Sequence, residues 1–306
     1  MAVVGIDFGN LYSKIALTRR GGVDVVANET SNRQTPSVVS FDGKERAIGE
    51  PAMNLFVRNS KNTISQIKRL IGRKFKEDDV QNDIKKGYFP FNVVEMEDGG
   101  VGVTAFYNGE QVTFSIVQIL AMIFQKLKLT AEMEAKTKVA DVVVSVPSFF
   151  TVDQRRAILE AGEIAGMRFN RLLNETTAIA LNHGFYKTDF SETEPTYVAF
   201  VDVGHAHTQA SIVQFNKDKL TVLAHSWDRN TGARDLDEAL AEHFAAEFKE
   251  KNHIDIYANK KAILRLRQAI EKVRKVLSAN PETSLNVECI MDDVDVRAMV
   301  SRAQME

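Results

Sequence analysis

The sequence holds a single cysteine, Cys289, and six prolines. One thiol excludes a disulfide framework and any cysteine-clustered zinc site, and fits a reducing compartment, so a cytoplasmic location is expected. Few prolines and no low-complexity tract leave no obvious flexible linker. Charge of one sign is also missing. The 39 basic and 41 acidic side chains leave a net −2, which gives no general drive toward nucleic acid or an anionic membrane. The longest apolar run, near Ile116–Ile123, is too short to span a bilayer and is followed by Lys126 and Lys128. No basic leader precedes Val3-Val4-Gly5-Ile6-Asp7, so the chain is expected to open inside its first strand. The G-x-x-x-x-G-K-[ST], H-E-x-x-H and G-x-S-x-G patterns are absent. Gly100-Val-Gly102 is followed by no helix and is set aside. The 306 residues, 44% of them apolar, suffice for two domains or one two-lobed unit.

What is present is a repeated pattern. Val3–Ile6 is an apolar run ending in Asp7-Phe8-Gly9. Ser13–Thr18, a turn at Gly21-Gly22 and Val23–Val26 follow. Val198–Val201 is a second such run, ending in Asp202-Val203-Gly204. Thr208–Phe215, a turn at Asn216–Lys219 and Leu220–Ala224 follow. Each copy reads as three antiparallel strands with an Asp-x-Gly at the first turn.

Between the copies helices appear. Ser115-x-x-Gln118 and Thr151-x-x-Gln154 are capping boxes, and Gly166 sits where the second helix ends. Val142–Val146 reads as a strand buried on both faces. Leu236, Leu240, Phe244 and Phe248 form one helical stripe; Leu266, Ile270, Val273 and Leu277 form another, ended by Asn280-Pro281. The order is β-β-β-α-β-α, hence an α/β fold with a mixed, helix-covered sheet.

The two acidic turns suit phosphate and magnesium. Glycine permits close backbone approach, turn amides cradle phosphate oxygens, and a few carboxylates hold a hydrated Mg²⁺. Ordinary Asp-Gly hairpins are the competing reading, weakened by recurrence in the same repeat context. His205-x-His207 has no evident third metal ligand. Asp292, Asp293 and Asp295 lack the rest of a calcium loop and read as a solvated turn. The basic cluster Lys68-Arg69 with Arg73-Lys74 reads either as a solvated helix face or as a lysine reaching a phosphate.

Together these segments resemble the nucleotide-binding domain of the 70-kDa heat-shock chaperone superfamily, which shares its core with actin and sugar kinases. The likeness lies in Gly5-Ile6-Asp7-Phe8-Gly9, Lys68-Arg69-Leu70-Ile71-Gly72-Arg73, Val146-Pro147-Ser148-Phe149-Phe150, Gln154–Gly166, Leu173-Asn174-Glu175 and Asp202-Val203-Gly204. Within the superfamily the chain is most similar to the 110-kDa subfamily, through Phe200–His205, Glu242–Ala245, Leu277–Asn280 and Met291–Val296.

The resemblance implies a two-lobed actin-like ATPase fold of duplicated ribonuclease-H-like lobes, the second incomplete. Lobe I would cover residues 1–193, with an inserted part at about 40–114. Lobe II would cover 194–306, with three strands across 197–226 and a helical part at 232–306. The family domain continues past Glu306, which would leave the hairpins at 197–226 with an unpaired edge.

The resemblance also implies ATP or ADP with Mg²⁺ as cofactors. Asp7 and Asp202 would hold the magnesium water shell, Lys68 would contact the γ-phosphate and attacking water, and Glu175 would orient solvent. Gly9, Asn10, Leu11 and Tyr12 would form one phosphate loop; Gly204, His205, Ala206, His207 and Thr208 the other. Gly232, Glu271, Arg274, Lys275 and Ser278 would hold the adenosine. A 70-kDa chaperone and unfolded clients would be partners, in a nucleotide-exchange role; nucleic acid and membrane would not.

Three departures from the family pattern bear on activity. Asn10 and Leu11 stand where hydrolysing members carry two threonines. His205-Ala206-His207 replaces three glycines, and Thr176 replaces a proline. Phosphoryl transfer depends on positioning, so hydrolysis is expected to suffer more than binding. An active ATPase and a remnant that takes no nucleotide are the alternatives.

Overall fold

The structure is a computed structural model that describes residues 2–19, 22–187 and 189–306. Gly21 of the expected Gly21-Gly22 turn lies outside them. The chain divides into two compact units, Met1–Arg229 and Asn230–Glu306.

The first unit is built on a six-stranded sheet. β1 (Ala2–Phe8), β2 (Tyr12–Arg19) and β3 (Gly22–Val25) pair antiparallel in succession. On the other side of β1 lie β4 (Val139–Val146) and β5 (Arg168–Asn174), both parallel. The short strand Thr35–Pro36 adds to β2. Parallel neighbours need long crossovers, and helices supply them. α1 (Ile116–Ala135) precedes β4; α2 (Val152–Ile164) links β4 to β5.

Both helices start where their capping boxes place them. Gln118 N donates to Ser115 Oγ at 3.2 Å and Ser115 N to Gln118 Oε1 at 2.9 Å. Thr151 and Gln154 exchange the same bonds at 3.3 and 3.2 Å. Gly166 ends α2 with φ of 66°, a left-handed backbone that glycine accepts without strain.

Val4, Ile6, Phe8, Ile15, Leu17, Val142, Val144 and Val146 form the core with Ile119, Leu120, Ile123 and Phe124 of α1 and Ile158 and Ala161 of α2. β4 is buried on one face only; Val143 and Ser145 on the other are half-buried. The expectation of burial on both faces fails there because α1 and α2 cover a single side. Two three-stranded sheets in the inserted region pack Phe41, Val103 and Ala105 into the same core.

α3 (Glu175–Tyr186) follows β5 directly. The second copy of the pattern is β6 (Thr196–Val203), β7 (Thr208–Asn216) and β8 (Lys219–Asp228), a three-stranded antiparallel sheet. One face packs on α3 through Val213, Phe215, Val198 and Phe200. The other exposes Tyr197, Val201 and Val203, each at least 60% open.

In the second unit α4 (Ala233–Asn252) and α5 (Lys260–Leu277) pack together. Leu240, Phe244 and Phe248 are buried, but Leu236, expected on the same stripe, is exposed. It lies in the helix's first turn, beyond the core that α5 supplies. Leu266, Ile270, Val273 and Leu277 are all buried. The hairpin β9 (Glu282–Met291) and β10 (Val294–Ser301) covers α5 with Leu285, Val287, Val296 and Val300. It adds strands to the segment that reads as helical in sequence. Asp292 and Asp293 form its tip, both at positive φ, as a solvated turn should. None of the described helices is long and apolar enough to cross a membrane.

Candidate functional site

The first unit gathers one polar cluster at the carboxyl ends of β1 and β5 and the amino end of β7. Asp7 ends β1 beside Gly9. A side chain on Gly9 would overlap the carbonyl oxygen of Tyr12, so the turn closes only with glycine. The loop after it is pinned from behind. Ser37 Oγ donates to Gly9 O at 2.8 Å, and Ser37 N donates to Leu11 O at 2.9 Å.

Lys68 comes from a single helical turn, Ile67–Leu70. The chain leaves that turn through Gly72, φ 63°, whose missing side chain lets it lie against the backbone of Gln154 at the start of α2. Gln154 Nε2 also donates to Ile71 O at 3.3 Å. Lys68 is thereby buried, with its ammonium 5.9 Å from the Phe8 ring centroid. Arg73 is buried as well, and Arg69 is nearly so, paired to Asp83 at 2.7 Å. The solvated-face reading therefore fails for Lys68, Arg69 and Arg73, which Gly72 folds inward, and holds for the exposed Lys74.

Lys68 pairs with Glu175, the first residue of α3. Both side chains are below 10% exposed. Burial pushes the Glu175 carboxyl up, but Lys68 and His207 outweigh it and hold the group at about 2. Asp202 at the end of β6 moves the other way: burial first, then the Glu175 charge, raise it. Asp7 Oδ1 lies 3.4 Å from Ser145 Oγ, and its other oxygen 3.9 Å from Lys14 Nζ.

The two turns meet through Asn10 and His205. The Asn10 amide donates to His205 Nδ1 at 2.8 Å across 195 residues of sequence. Asn10 is 6% exposed, and its Oδ1 has no partner. That oxygen accepts only, so it suits a magnesium-bound water rather than a phosphate oxygen. Among the described residues no three His, Cys, Asp or Glu side chains converge as direct metal ligands. Two carboxylates and one orphan acceptor fit a magnesium ion that keeps its waters.

Gly204 N donates to His207 O at 2.9 Å, closing the second turn over Ala206, which is fully buried; Thr208 opens β7. A small cavity lies between Asn10, Lys68, Phe149, His207 and Arg229. Arg229 stacks on the Phe149 ring at 5.1 Å and donates to Phe149 O at 3.1 Å.

The second unit carries the other five expected residues. Gly232 caps α4, its amide donating to Asp235 Oδ2 at 2.9 Å. On α5, Lys275 pairs with Glu271 at 2.5 Å, and Ser278 Oγ donates to Lys275 O at 2.7 Å. Arg274 holds Asp237 with a two-pronged pair at 2.6 and 3.2 Å. Burial, the larger influence, still raises Asp237.

Gln209, which the sequence reading passes over, sits in the middle of the cluster. Its amide donates to Glu175 Oε2 at 2.5 Å. The signal was available: positions 209 and 211 share the inward face of one strand, His207 stands just before it in the same alternation, all three are polar and buried, and they follow an acidic turn.

A family model described as "Hsp70 protein" matches residues 3–306. The chain belongs to the Hsp70 family. It is 49% identical to "Heat shock 70 kDa protein 16" of Arabidopsis thaliana, across all of this chain and 40% of that protein. It is 52% identical to "Heat shock protein 88" of Dictyostelium discoideum, across 99% of this chain and 39% of that one. It is 47% identical to a "97 kDa heat shock protein" of Strongylocentrotus purpuratus, across 100% of this chain and 34% of the relative. The chain thus spans about two fifths or less of the curated relatives it matches. An α/β fold with strand-turn-strand copies and helical crossovers agrees with the actin-like ATPase fold expected of the family.

Proposed function

We propose that this chain is the nucleotide-binding part of a 110-kDa-type heat-shock co-chaperone. It binds ATP and ADP with Mg²⁺ and hydrolyses ATP slowly or not at all. It acts in the cytoplasm as a nucleotide-exchange factor for a 70-kDa chaperone and assists unfolded clients. The division into lobes at 1–193 and 194–306 belongs to the same reading.

The observation that carries the nucleotide reading is the buried Lys68–Glu175 pair beside the orphan oxygen of Asn10. A buried ion pair contributes little net stability for its desolvation, which favours a functional reason for keeping one. Bound magnesium would neutralise charge developing on the transferred phosphoryl group. Asp7, Asp202 and Asn10 would hold its waters. Lys68 has three ammonium donors, so it would reach an incoming γ-phosphate while keeping its bond to Glu175. The amides of both turns would face phosphate oxygens, and Glu271, Arg274, Lys275, Ser278 and Gly232 would take the adenosine.

Retained Lys68, Glu175, Asp7 and Asp202 favour the second reading, an active ATPase. Steady-state phosphate release separates the two: little or none is expected, and the rate of an ordinary 70-kDa chaperone would contradict the first. Faster release of fluorescent ADP from a 70-kDa chaperone is expected in the presence of the protein. No acceleration would remove the exchange role.

A further inference from the structure

The Glu175 carboxylate faces three side chains able to donate to it. Lys68 takes Oε1. Gln209 takes Oε2 at 2.5 Å, and His207 Nε2 lies 3.4 Å from the same oxygen.

The direction of the Gln209 amide is fixed by chemistry. Its Oε1 accepts from the backbone amide of Ser148 at 2.9 Å and from Ser148 Oγ at 3.1 Å. A backbone N–H can only donate, so the NH₂ end must face Glu175. Gln209 is fully buried. The His207 ring stands edge-on to Phe149, centroids 5.2 Å apart. Beside a carboxylate, the tautomer with its proton on Nε2 is the favourable one.

A water that Glu175 is to orient must donate to one of its oxygens. Oε2 is turned to Gln209 and His207 and Oε1 to Lys68, and the side chain is only 9% exposed, so burial closes its remaining lone pairs to water. A carboxylate so strongly stabilised as an anion is also a weak base.

We propose that Gln209 and His207 are positioning residues that clamp Glu175 and keep it from orienting an attacking water. The clamp makes this a site that retains its nucleotide and turns it over slowly. The inference rests on the nucleotide reading above, and its test separates the two.

The first measurement needs no nucleotide. In the ¹H–¹⁵N spectrum of the full chain, one Gln209 side-chain proton lies downfield of the other glutamine side chains, and Glu175→Ala abolishes that shift. A shift that is absent, or that survives Glu175→Ala, overturns the clamp. Calorimetry with Mg-ATP then judges the nucleotide reading. No binding overturns that reading and leaves the clamp to be decided by the spectrum.

Where Mg-ATP binds, single-turnover hydrolysis of Gln209→Ala is faster by about tenfold or more, with affinity held within about threefold. A water filling the space of the lost amide meets Glu175 Oε2 directly. If Gln209→Ala does not fold, Gln209→Met, which keeps the volume and loses the donor, is read in the same way, with an increase of about threefold. An unchanged or slower rate at intact affinity overturns the proposal.

Discussion

The two copies of the strand-turn-strand pattern share their acidic turn and differ in nearly everything around it. β1–β2–β3 continues into parallel β4 and β5 and lies under α1 and α2. β6–β7–β8 stands as a three-stranded sheet with one face on α3 and the other exposed. The inward faces of the second strands also differ. In β2 one buried serine, Ser13, is followed by Ile15 and Leu17. In the second copy Gln209 and Ser211, with His207 just ahead of the strand, come before Val213 and Phe215. The turn delivers an aspartate and a glycine in both places. The first copy spends its strand on core packing; the second uses its strand to hold Glu175.

The comparison breaks most directly on stability. Phe8 is fully buried in β1, whereas Val203, its counterpart before the second turn, is 60% exposed. Phe8→Ala should cost about 3–5 kcal/mol and Val203→Ala about 0.5 kcal/mol or less, read by urea unfolding. Similar costs would mean that the second sheet's open face is covered in solution.

Lys68→Met should come next, at about 3 kcal/mol near neutral pH, because it leaves a buried carboxylate without its cation. The sign of the pH dependence follows from the direction of the shift. Glu175 is depressed from 4.5 to about 2, so its contribution is present above the unfolded value. It is lost as pH falls from about 4.5 toward 2. The variant should lack that part of the acid-side fall. An equal fall in parent and variant would detach Glu175 from Lys68.

A smaller effect sharpens the comparison at the turns themselves. At Gly9 a methyl group overlaps the Tyr12 carbonyl, but at Gly204 it would meet His207 O at 3.1 Å. Gly9→Ala should weaken Mg-ATP binding by about tenfold or more, and Gly204→Ala by about threefold, by calorimetry. The reverse order would make the second turn the tighter one.

Much of this was legible in the sequence, for local reasons. Capping boxes, Gly166, the two Asp-x-Gly turns and the apolar stripes of α4 and α5 each need only a few adjacent residues. Asp7, Lys68, Glu175 and Asp202 were legible through family motifs, and the fold brings them to one cluster. The failures are long-range. The burial of Lys68 and Arg73 depends on Gly72 meeting Gln154, 82 positions along. Leu236 fits its helical period but lies beyond the partner helix. The β9–β10 hairpin was hidden behind its acidic tip, where Asp292, Asp293 and Asp295 drew attention from the alternation of Leu285, Val287, Val296 and Val300. Gln209 was missed because Ser148 and Glu175, the partners that fix it, lie 61 and 34 residues away.

The central claim is a nucleotide site that binds well and turns over poorly. A single calorimetric titration of the full chain with Mg-ATP, followed by recovery of the bound nucleotide, tests it most directly. The account predicts saturable one-site binding, lost in Lys68→Met, with the nucleotide recovered mainly as ATP. Absence of a binding isotherm, or recovery as ADP within the time an ordinary 70-kDa chaperone needs for one turnover, would contradict it.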